Sequence, residues 1–316
     1  MTSPSPVKVA VVQAAPVPFD RDAITDRVCE LIHEAASEGA KFILFPEALI
    51  PAYPRGLNFG MVVGSRSPEG RKVWQRYWET AVDVPGRQTE LIGKAAREAG
   101  VFAAIGVIER DSTFSRGTLY CTLVYFGPHG ELLGKHRKLK PTGSERLIWG
   151  EGDGSTLTVI DTPFGRVGGL ICWENYMPLA RMAMYGKGLD IYLAPTADSR
   201  DSWHASMRHI ACESRCFVLS CNQFMTKDMY PEEIRNLEEL KDQPDIITRG
   251  GSAIISPFGE VIEGPLYDRD GILYAELDMA EVVRARVDFD VTGHYARADI
   301  FTLTVNEEPA LPVKGA

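Results

Sequence analysis

KVAVVQA at residues 8–14 and KFILF at residues 41–45 are the two apolar runs that decide the fold of this chain. The first run is rich in β-branched residues and the second is short and apolar, so both predict buried strands. Between them, apolar residues recur at the spacing of an amphipathic helix that ends before Gly39: Ile24, Val28, Leu31, Ile32 and Ala35. A strand–helix–strand unit forms a right-handed crossover with parallel strands, so the chain opens as an α/β protein.

The rest of the chain mixes further helices with hairpins. Amphipathic helices are predicted over residues 89–99, where Gly100 ends the helix, and over residues 202–215. A Pro-x-Gly turn joins two apolar runs in three segments, which predicts β-hairpins at residues 126–132, 162–167 and 256–261. Other apolar runs predict strands at residues 101–108, 119–126, 191–195, 217–221, 252–255 and 272–277. This mixture predicts sheets covered by helices in layers, not a barrel.

The composition is that of a globular protein able to bury a large core, with 45% hydrophobic and 24% charged residues among 316. A net charge of −9 and a pI of 5.3 argue against a surface for nucleic acid or for an anionic membrane. The sequence holds no apolar run of about 18 residues, the length that spans a bilayer. Residues 1–8, MTSPSPVK, lack the basic and long apolar regions of a signal peptide. We therefore expect a cytoplasmic protein whose six cysteines are free thiols.

We expect residues 1–316 to form one domain, with a core over residues 7–305 and a tail over residues 306–316. No long Gly/Ser-rich or Pro-rich linker divides the interior. The most polar stretch, residues 227–249, is rich in Glu and Asp and predicts a solvated surface loop with one helical turn.

Cys172 stands where an apolar strand ends and a helix follows, within GGLICWENYMP at residues 168–178. A strand over residues 167–171 would deliver its side chain to the edge of a sheet, and Pro178 suits the first turn of a helix over residues 179–185. A thiol at such a place can act as a thiolate nucleophile, whereas a thiol in a core is a small hydrophobe. This segment alone leaves both interpretations of Cys172 open.

The other five cysteines predict no site. Cys29 falls on the first amphipathic helix and Cys121 on an apolar strand, so both are predicted to be packing residues. Cys212, Cys216 and Cys221 lack the paired spacing and matched histidines of a structural zinc site, so we expect no metal there.

Two further segments place polar residues at the end of an apolar strand. Glu47 follows the strand in FILFPEAL at residues 42–49. A carboxylate among apolar neighbours has a raised pKa and can act as a general base, although it can also cap a helix or turn. The second segment is KHRKLKPTGSER at residues 135–146, a basic cluster that either lines a cleft or stays a solvated patch. A lysine in a cleft can stabilise negative charge, and beside a cysteine it lowers the pKa of the thiol.

A carboxylate base, a lysine and a thiol would together equip an acyl transfer with a cysteine nucleophile. None of the six histidines stands in the signature of a Cys–His protease. The residues themselves leave open which lysine of the basic cluster would act.

Three segments resemble, in the right order, the signature segments of the nitrilase superfamily: FPEA at residues 45–48, HRKLKPT at residues 136–142 and CWEN at residues 172–175. Other stretches resemble its nitrilase branch: RYW at residues 76–78, ERLIWG at residues 145–150, DSRDSW at residues 198–203 and GHY at residues 293–295. The resemblance therefore covers nearly the whole chain.

This resemblance implies a role for particular residues. It makes Glu47 the general base, Cys172 the nucleophile and Lys138, which directly follows an arginine, the lysine that stabilises the oxyanion. Glu145 matches a second glutamate that helps to position the substrate or a water molecule. No metal or other cofactor is implied. Tyr53 and Trp173 are expected to bind substrate as walls of the pocket, although ordinary aromatic packing would also account for them.

The resemblance also implies a fold, a reaction and an assembly. The fold is a four-layer α-β-β-α sandwich of two mixed sheets flanked by helices. The reaction is hydrolysis of a small organic nitrile to a carboxylic acid and ammonia, with an amide as a by-product. The assembly is a homodimer or a larger homo-oligomer. Because the sequence ends soon after residue 306, long spirals are not expected.

Two alternatives to a nitrilase stay open. An amidase or carbamoylase of the same superfamily would use the same three residues on an amide. A catalytically silent member would serve as an interaction or filament-forming protein, which the intact set of nucleophile, base and lysine disfavours.

Overall fold

The computed structural model describes residues 6–313, so predictions made for residues 1–5 and 314–316 lie outside the described residues. The strands are β1 (Val7–Gln13), β2 (Phe42–Leu44), β3 (Met61–Val62), β4 (Ser65–Arg66), β5 (Phe102–Arg110), β6 (Leu119–Phe126), β7 (Leu132–Arg137), β8 (Val159–Thr162), β9 (Gly165–Gly169), β10 (Ile191–Pro195), β11 (Phe217–Cys221), β12 (Phe224–Thr226), β13 (Ile246–Ile255), β14 (Val261–Tyr267) and β15 (Gly271–Leu277). The α-helices are α1 (Arg21–Ser37), α2 (Pro68–Glu79), α3 (Arg87–Ala99), α4 (Pro178–Tyr185), α5 (Asp201–Ser214), α6 (Glu232–Arg235), α7 (Glu238–Lys241) and α8 (Ala280–Ala285).

The first crossover forms as predicted. β1 and β2 run parallel with α1 between them, and Val9 lies opposite Phe42 in the register. Asp20 caps α1 by accepting a hydrogen bond from the Ala23 amide, which satisfies one of the free donors at the start of the helix. Gly100 ends α3 with a φ of +65°, a backbone region that glycine adopts without steric cost. The three predicted hairpins join antiparallel neighbours: β6 with β7, β8 with β9 and β13 with β14.

The strands form two large mixed sheets. The first has the order β15-β1-β2-β5-β6-β7, and the second has the order β12-β13-β11-β10-β9-β8 with β14 paired to β13. Three neighbours are parallel in each sheet: β1, β2 and β5 in the first, and β9, β10 and β11 in the second. Parallel neighbours end at the same edge, so each sheet offers one edge at which side chains from different segments meet.

The two sheets pack face to face, and helices cover both outer faces. Val11 and Leu44 of the first sheet share a buried cluster with Leu193 and Leu219 of the second. A second buried cluster joins α1 and α3 to the first sheet, and a third joins α4 and α5 to the second. This arrangement confirms the predicted α-β-β-α sandwich. Within residues 6–313, no helix combines the length and apolar character needed to cross a membrane.

Residues 227–249 are not the solvated loop that the sequence predicts. They hold α6, α7 and the start of β13, and the side chains of Tyr230, Ile234 and Leu240 are buried. The hydroxyl of Tyr230 donates a hydrogen bond to the backbone oxygen of Arg55 at 2.9 Å. Because the few apolar residues are spread among many acidic ones, composition alone hides the side of the segment that packs inward.

Helix α2 is absent from the elements predicted above. Ser67 caps it by accepting a hydrogen bond from the Gly70 amide, and Pro68 stands at its first position. Its buried face carries Tyr77, whose hydroxyl donates to the backbone oxygen of Ala52 at 3.1 Å. Ser67 and Pro68 are recognisable signals for the start of a helix. The helix is nevertheless hard to predict, because its few apolar residues stand among many charged ones in the sequence.

Candidate active site

Glu47, Lys138 and Cys172 come from three separate segments and lie together where strands of both sheets end. Glu47 follows β2 by three residues, Lys138 follows β7 directly and Cys172 follows β9 by three residues. All three side chains are buried. Two facing sheets thus bring a carboxylate, an ammonium group and a thiol to one place.

Cys172 opens a tight turn over Cys172–Tyr176 after β9. Its φ of +52° lies in the left-handed region, which costs a non-glycine residue about 1 kcal/mol or more. The Asn175 side chain holds this turn by donating hydrogen bonds to the backbone oxygens of Leu170 at 3.0 Å and Cys172 at 2.8 Å. The hydroxyl of Tyr192 donates in turn to Asn175 Oδ1 at 2.9 Å. The turn therefore presents the Cys172 side chain in one fixed orientation.

Glu47 is held by close backbone contacts. A Cβ on Gly106 of β5 would lie 2.7 Å from the Glu47 Cα, so only glycine allows this approach. Gln223 Nε2 donates a hydrogen bond to the Glu47 backbone oxygen at 2.6 Å. The carboxylate oxygen Oε1 accepts from Lys138, whereas the buried Oε2 has no hydrogen-bond partner among the described residues. Oε2 is therefore free to accept a proton.

Lys138 bridges two carboxylates. Its Nζ donates to Glu47 Oε1 at 2.6 Å and to Glu145 Oε2 at 2.8 Å. Glu145 is held further by the Thr142 amide, which donates to Oε2 at 2.6 Å, and by the Tyr53 hydroxyl, which donates to Oε1 at 2.6 Å. An ammonium group has three N–H donors, so these two bonds leave one donor unused.

The pKa values of Glu47 and Lys138 are both raised, in each case as the balance of two opposing effects, burial and the charge of the neighbouring group. Burial raises the pKa of Glu47 above its ordinary value, and the positive charge of Lys138 offsets this only in part. Burial acts against the charged form of Lys138, but the neighbouring Glu47 carboxylate outweighs it and holds the pKa of Lys138 well above its ordinary value. Glu47 is thus a strengthened base beside a permanently charged lysine.

The expected effect of a lysine on the Cys172 thiol is present but does not decide the net pKa of that thiol. Burial, and after it the negative charge of Glu47, raise the pKa of Cys172 to about 12. Lys138 does act to lower it, but its charge is shared with two carboxylates. Near neutral pH the resting side chain is a thiol, which must lose its proton during the reaction.

Cys121 is not only a packing residue. Its side chain is buried, as predicted, but its sulfur lies 3.5 Å from Glu47 Oε1. Its backbone oxygen accepts a hydrogen bond from the Lys138 amide at 2.8 Å. Sequence alone could not reveal this contact, because the apolar pattern of β6 places Cys121 in the core without saying what it faces there.

Glu174 and His136 are site residues that the sequence analysis does not single out. Glu174 Oε1 accepts from the Leu139 amide at 2.6 Å, and Oε2 accepts from the Ile171 amide at 2.7 Å. His136 Nε2 lies 3.0 Å from Glu174 Oε2. One carboxylate thus ties the segment of Lys138 to the segment of Cys172. Their positions in the sequence could have indicated this role, because His136 precedes Lys138 by two residues and Glu174 follows Cys172 by two residues within the same motifs.

Cys172 lines a cavity of about 210 Å³. Tyr53 and Trp173 both line it. The other lining residues are Arg55, Thr142, Glu145, Ala197, Asp198, Ser199 and Arg200. A second cavity of about 310 Å³ adjoins the first and shares Tyr53, Arg55 and Glu145 with it.

Trp173 is held at the rim of this cavity. Its Nε1 donates a hydrogen bond to Asp198 Oδ2 at 2.9 Å, and the Arg200 guanidinium lies 4.8 Å from the centre of its ring. Arg200 is in turn paired with Asp198. Trp173, Asp198 and Arg200 thus form one connected group of side chains at the rim.

Within residues 6–313, no group of three or more His, Cys, Asp or Glu side chains is arranged to hold a metal ion. Three cysteines considered for zinc lie apart, since their sulfurs contact different backbone oxygens. Cys212 contacts Phe258, Cys216 contacts Leu189 and Cys221 contacts Val12.

Comparison with known proteins identifies the family. The carbon-nitrogen hydrolase family model matches residues 8–287. The chain is 55% identical over 303 residues to the aliphatic nitrilase of Sinorhizobium fredii (strain HH103), covering 96% of each protein. It is 48% identical over 313 residues to nitrilase 3 of Arabidopsis thaliana, covering 98% of this chain and 89% of that protein.

A solved structure agrees in fold. The carbon-nitrogen hydrolase from Helicobacter pylori G27 superposes with a TM-score of 0.72 at 20% identity, covering 95% of this chain and 98% of that one. At 20% identity this similarity supports the fold alone, whereas the family model and the relatives at 48% and 55% identity establish the family. The chain belongs to the carbon-nitrogen hydrolase family, within its nitrilase branch.

Proposed function

We propose that this protein is a nitrilase that hydrolyses a small organic nitrile to the carboxylic acid and ammonia. The observation that carries the proposal is the buried arrangement of Cys172, Glu47 and Lys138 beside a cavity, in a chain 46–55% identical to several proteins named as nitrilases. We assign Cys172 as nucleophile, Glu47 as general base and Lys138 as the cation that stabilises developing charge.

The first step forms a covalent thioimidate. Glu47 takes the thiol proton on its free oxygen Oε2 while the sulfur of Cys172 attacks the nitrile carbon. A C–S bond forms, one electron pair of the triple bond moves to nitrogen, and that nitrogen accepts from Glu47 the proton that came from the thiol, which returns Glu47 to its basic form. Because the pKa of the thiol is raised to about 12, proton transfer has to accompany attack. The unused N–H donor of Lys138 is available to the nitrogen as its charge develops.

The second step releases ammonia. A water molecule loses a proton to Glu47 and adds to the thioimidate carbon, and Glu47 passes that proton to the nitrogen, giving a tetrahedral intermediate with one hydroxyl and one amino group. The C–N bond then breaks with its electron pair on nitrogen, the hydroxyl proton passes through Glu47 to that nitrogen, which leaves as ammonia, and a thioester stays on Cys172. A second water molecule attacks the thioester, which releases the acid and restores the thiol. Glu145, held by Lys138 and Tyr53, is suited to position the water or the substrate.

The tetrahedral intermediate has a second route of breakdown. If the C–S bond breaks in place of the C–N bond, the electron pair returns to sulfur and an amide is released. An amide by-product is therefore expected. The names of two relatives similar to this chain, from Lupinus angustifolius and Nicotiana tabacum, include both nitrilase and nitrile hydratase.

The test presents matched aliphatic, aromatic and arylaliphatic nitriles together with the corresponding amides, and measures ammonia, acid and amide. We expect turnover of nitriles, and we expect mass spectrometry of trapped enzyme to locate the adduct on Cys172. Turnover of amides without turnover of any nitrile would establish the amidase alternative. An adduct on another residue would remove Cys172 as the nucleophile.

We further propose a homodimer or larger homo-oligomer. Leu179 of α4 and Phe301 are 69% and 76% exposed and line one apolar surface cavity, which supports burial of this face against a second copy. Light scattering on the purified protein tests this, and a monomer at micromolar concentration would contradict it. We also propose a single domain over residues 1–316 in the cytoplasm, which six unpaired cysteines support.

A further inference from the structure

Thr196 lies beside the nucleophile without belonging to any motif considered so far. It directly follows β10, and β10 is the parallel neighbour of β9, the strand that leads to Cys172. Its side chain is 1% exposed. Thr196 Oγ1 lies 3.3 Å from Cys172 Sγ, within hydrogen-bond distance for a sulfur acceptor. The fold thus brings a buried hydroxyl group against the reacting atom.

The Thr196 hydroxyl is the donor in its contact with Cys172 Sγ, and its oxygen accepts a separate hydrogen bond. The Asp198 amide donates to Thr196 Oγ1 at 2.9 Å, so the threonine oxygen already accepts one hydrogen bond. The threonine proton is then free to point at Cys172 Sγ, its other close neighbour. The Asp198 amide thus donates to the Thr196 hydroxyl, and this hydroxyl donates to the sulfur of Cys172.

The charges around Cys172 explain why a donor matters there. Glu47 and Glu145 both act to raise the energy of a thiolate, and the two bonds that Lys138 makes to them occupy most of its donors. Arg200 is solvent-exposed and paired with Asp198. Lys138 offsets part of this repulsion, and the Thr196 hydroxyl adds a neutral donor in direct contact with the sulfur.

We propose that Thr196 is a catalytic residue whose hydroxyl group donates a hydrogen bond to the sulfur of Cys172 and stabilises its thiolate form. The bond is stronger to a charged sulfur than to a neutral thiol, so it favours states in which sulfur carries negative charge. Such states occur in three steps of the proposed function, on which this consequence rests. They are the attack on the nitrile, the C–S cleavage that releases the acid from the thioester and the C–S cleavage that releases an amide.

The direct test measures alkylation of Cys172 by iodoacetamide, followed by mass spectrometry of the Cys172 peptide between pH 7 and pH 9. Thr196→Val removes the hydroxyl at nearly constant volume. We expect alkylation at least about threefold and up to tenfold slower at each pH, because the thiolate fraction falls while the remaining thiolate is more nucleophilic. Thr196→Ser keeps the hydroxyl and should recover most of the lost rate. If Thr196→Val does not fold, Thr196→Ala removes the same donor and should show the same slowing.

Two results would overturn the proposal: unchanged alkylation in Thr196→Val, or equal slowing in Thr196→Val and Thr196→Ser, which would indicate lost packing. Because alkylation needs no nitrile, this test is independent of the proposed reaction. A wild-type protein that turns over no nitrile but still shows the Thr196 effect would refute only the proposed function. In an active enzyme, the amide share of the product should fall in Thr196→Val, since sulfur becomes the poorer leaving group.

Discussion

His136 and Glu174 form an ion pair in the interior of the protein, with 3.0 Å between Nε2 and Oε2 and with neither side chain exposed to solvent. The other ring nitrogen, Nδ1, lies 2.9 Å from the backbone oxygen of Thr156, which can only accept a hydrogen bond. Nδ1 therefore donates to this oxygen, and Nε2 donates to the Glu174 carboxylate when the ring is protonated. Burial acts to lower the pKa of His136, but the charge of Glu174 and the two hydrogen bonds outweigh it and raise the pKa above its ordinary value.

This pair predicts a pH-dependent contribution to stability. A histidine whose pKa is raised by folding stabilises the protein fully below its unfolded pKa of about 6.5 and loses that contribution as the pH rises through the folded value. Glu174→Gln should lower the free energy of unfolding by about 3 kcal/mol at pH 6 and should remove this part of the pH dependence. Urea denaturation at a series of pH values measures both. The exposed His129→Gln is the matched control, and an unchanged pH slope in Glu174→Gln would contradict the prediction.

Cys172→Ala should abolish nitrile turnover and covalent labelling, because no other thiol occupies its place beside the cavity. We expect a loss of at least about 10⁴-fold in kcat, as for removal of a nucleophile in other hydrolases. Cys212→Ala changes a half-buried cysteine of α5, away from the cavity, and should keep wild-type turnover. Equal losses in the two variants would point to a general effect of cysteine removal.

Lys138→Met should lower kcat about 10² to 10³-fold, since it removes the cation available to the developing negative charge. It also leaves Glu47 and Glu145 without the ammonium group that separates them, so the pKa of Glu47 should rise further. Lys140→Met is the matched control, because the Lys140 side chain is 49% exposed and paired with Glu151. Steady-state kinetics at pH 7 compares the two variants, and a larger loss in Lys140→Met would reassign the lysine.

The pH profile of kcat/KM should carry one acid limb that belongs to Glu47. The raised pKa of this carboxyl means that the basic form is lost as the pH falls through that value, so activity should drop about tenfold per pH unit below it. Glu47→Gln should show low activity without this limb. On the alkaline side, ionisation of Cys172 should produce no limb below pH 9, because its pKa is raised to about 12. If Glu47→Gln still lost activity on the acid side at the same pH as the wild type, Glu47 would be excluded as the source of this acid limb.

Tyr53→Phe should lower kcat about tenfold and lower the free energy of unfolding by about 1 to 3 kcal/mol. It removes the hydroxyl that donates to Glu145 Oε1 at 2.6 Å and leaves the aromatic wall of the cavity in place. Tyr274→Phe, on the outer strand β15, is the control and should not alter kcat. A rise in KM alone would instead indicate that Tyr53 acts only as a wall for the substrate.

Much of the fold could be predicted from local pattern. The β-branched run of β1, the helical spacing of α1 and the Pro-x-Gly turns each report a structure formed by neighbours in sequence, and the structure confirms them. The buried helices of residues 227–249 and helix α2 could not be predicted in this way. Their apolar residues are few, and their burial depends on surfaces contributed by distant parts of the chain.

By itself, the sequence determined that a carboxylate, a lysine and a thiol each follow an apolar strand, and it determined the family through three ordered motifs. This is possible because a motif is a pattern of neighbouring residues, which can be recognised without knowledge of the tertiary structure. Only the tertiary structure decided the electrostatics of the site: the raised pKa of Cys172, the contact of Cys121 with Glu47, the His136–Glu174 pair and the hydroxyl of Thr196 against the sulfur. These features depend on how deeply each group is buried and on which charges from distant segments lie beside it. Burial and charge proximity are both set only when the two sheets pack face to face.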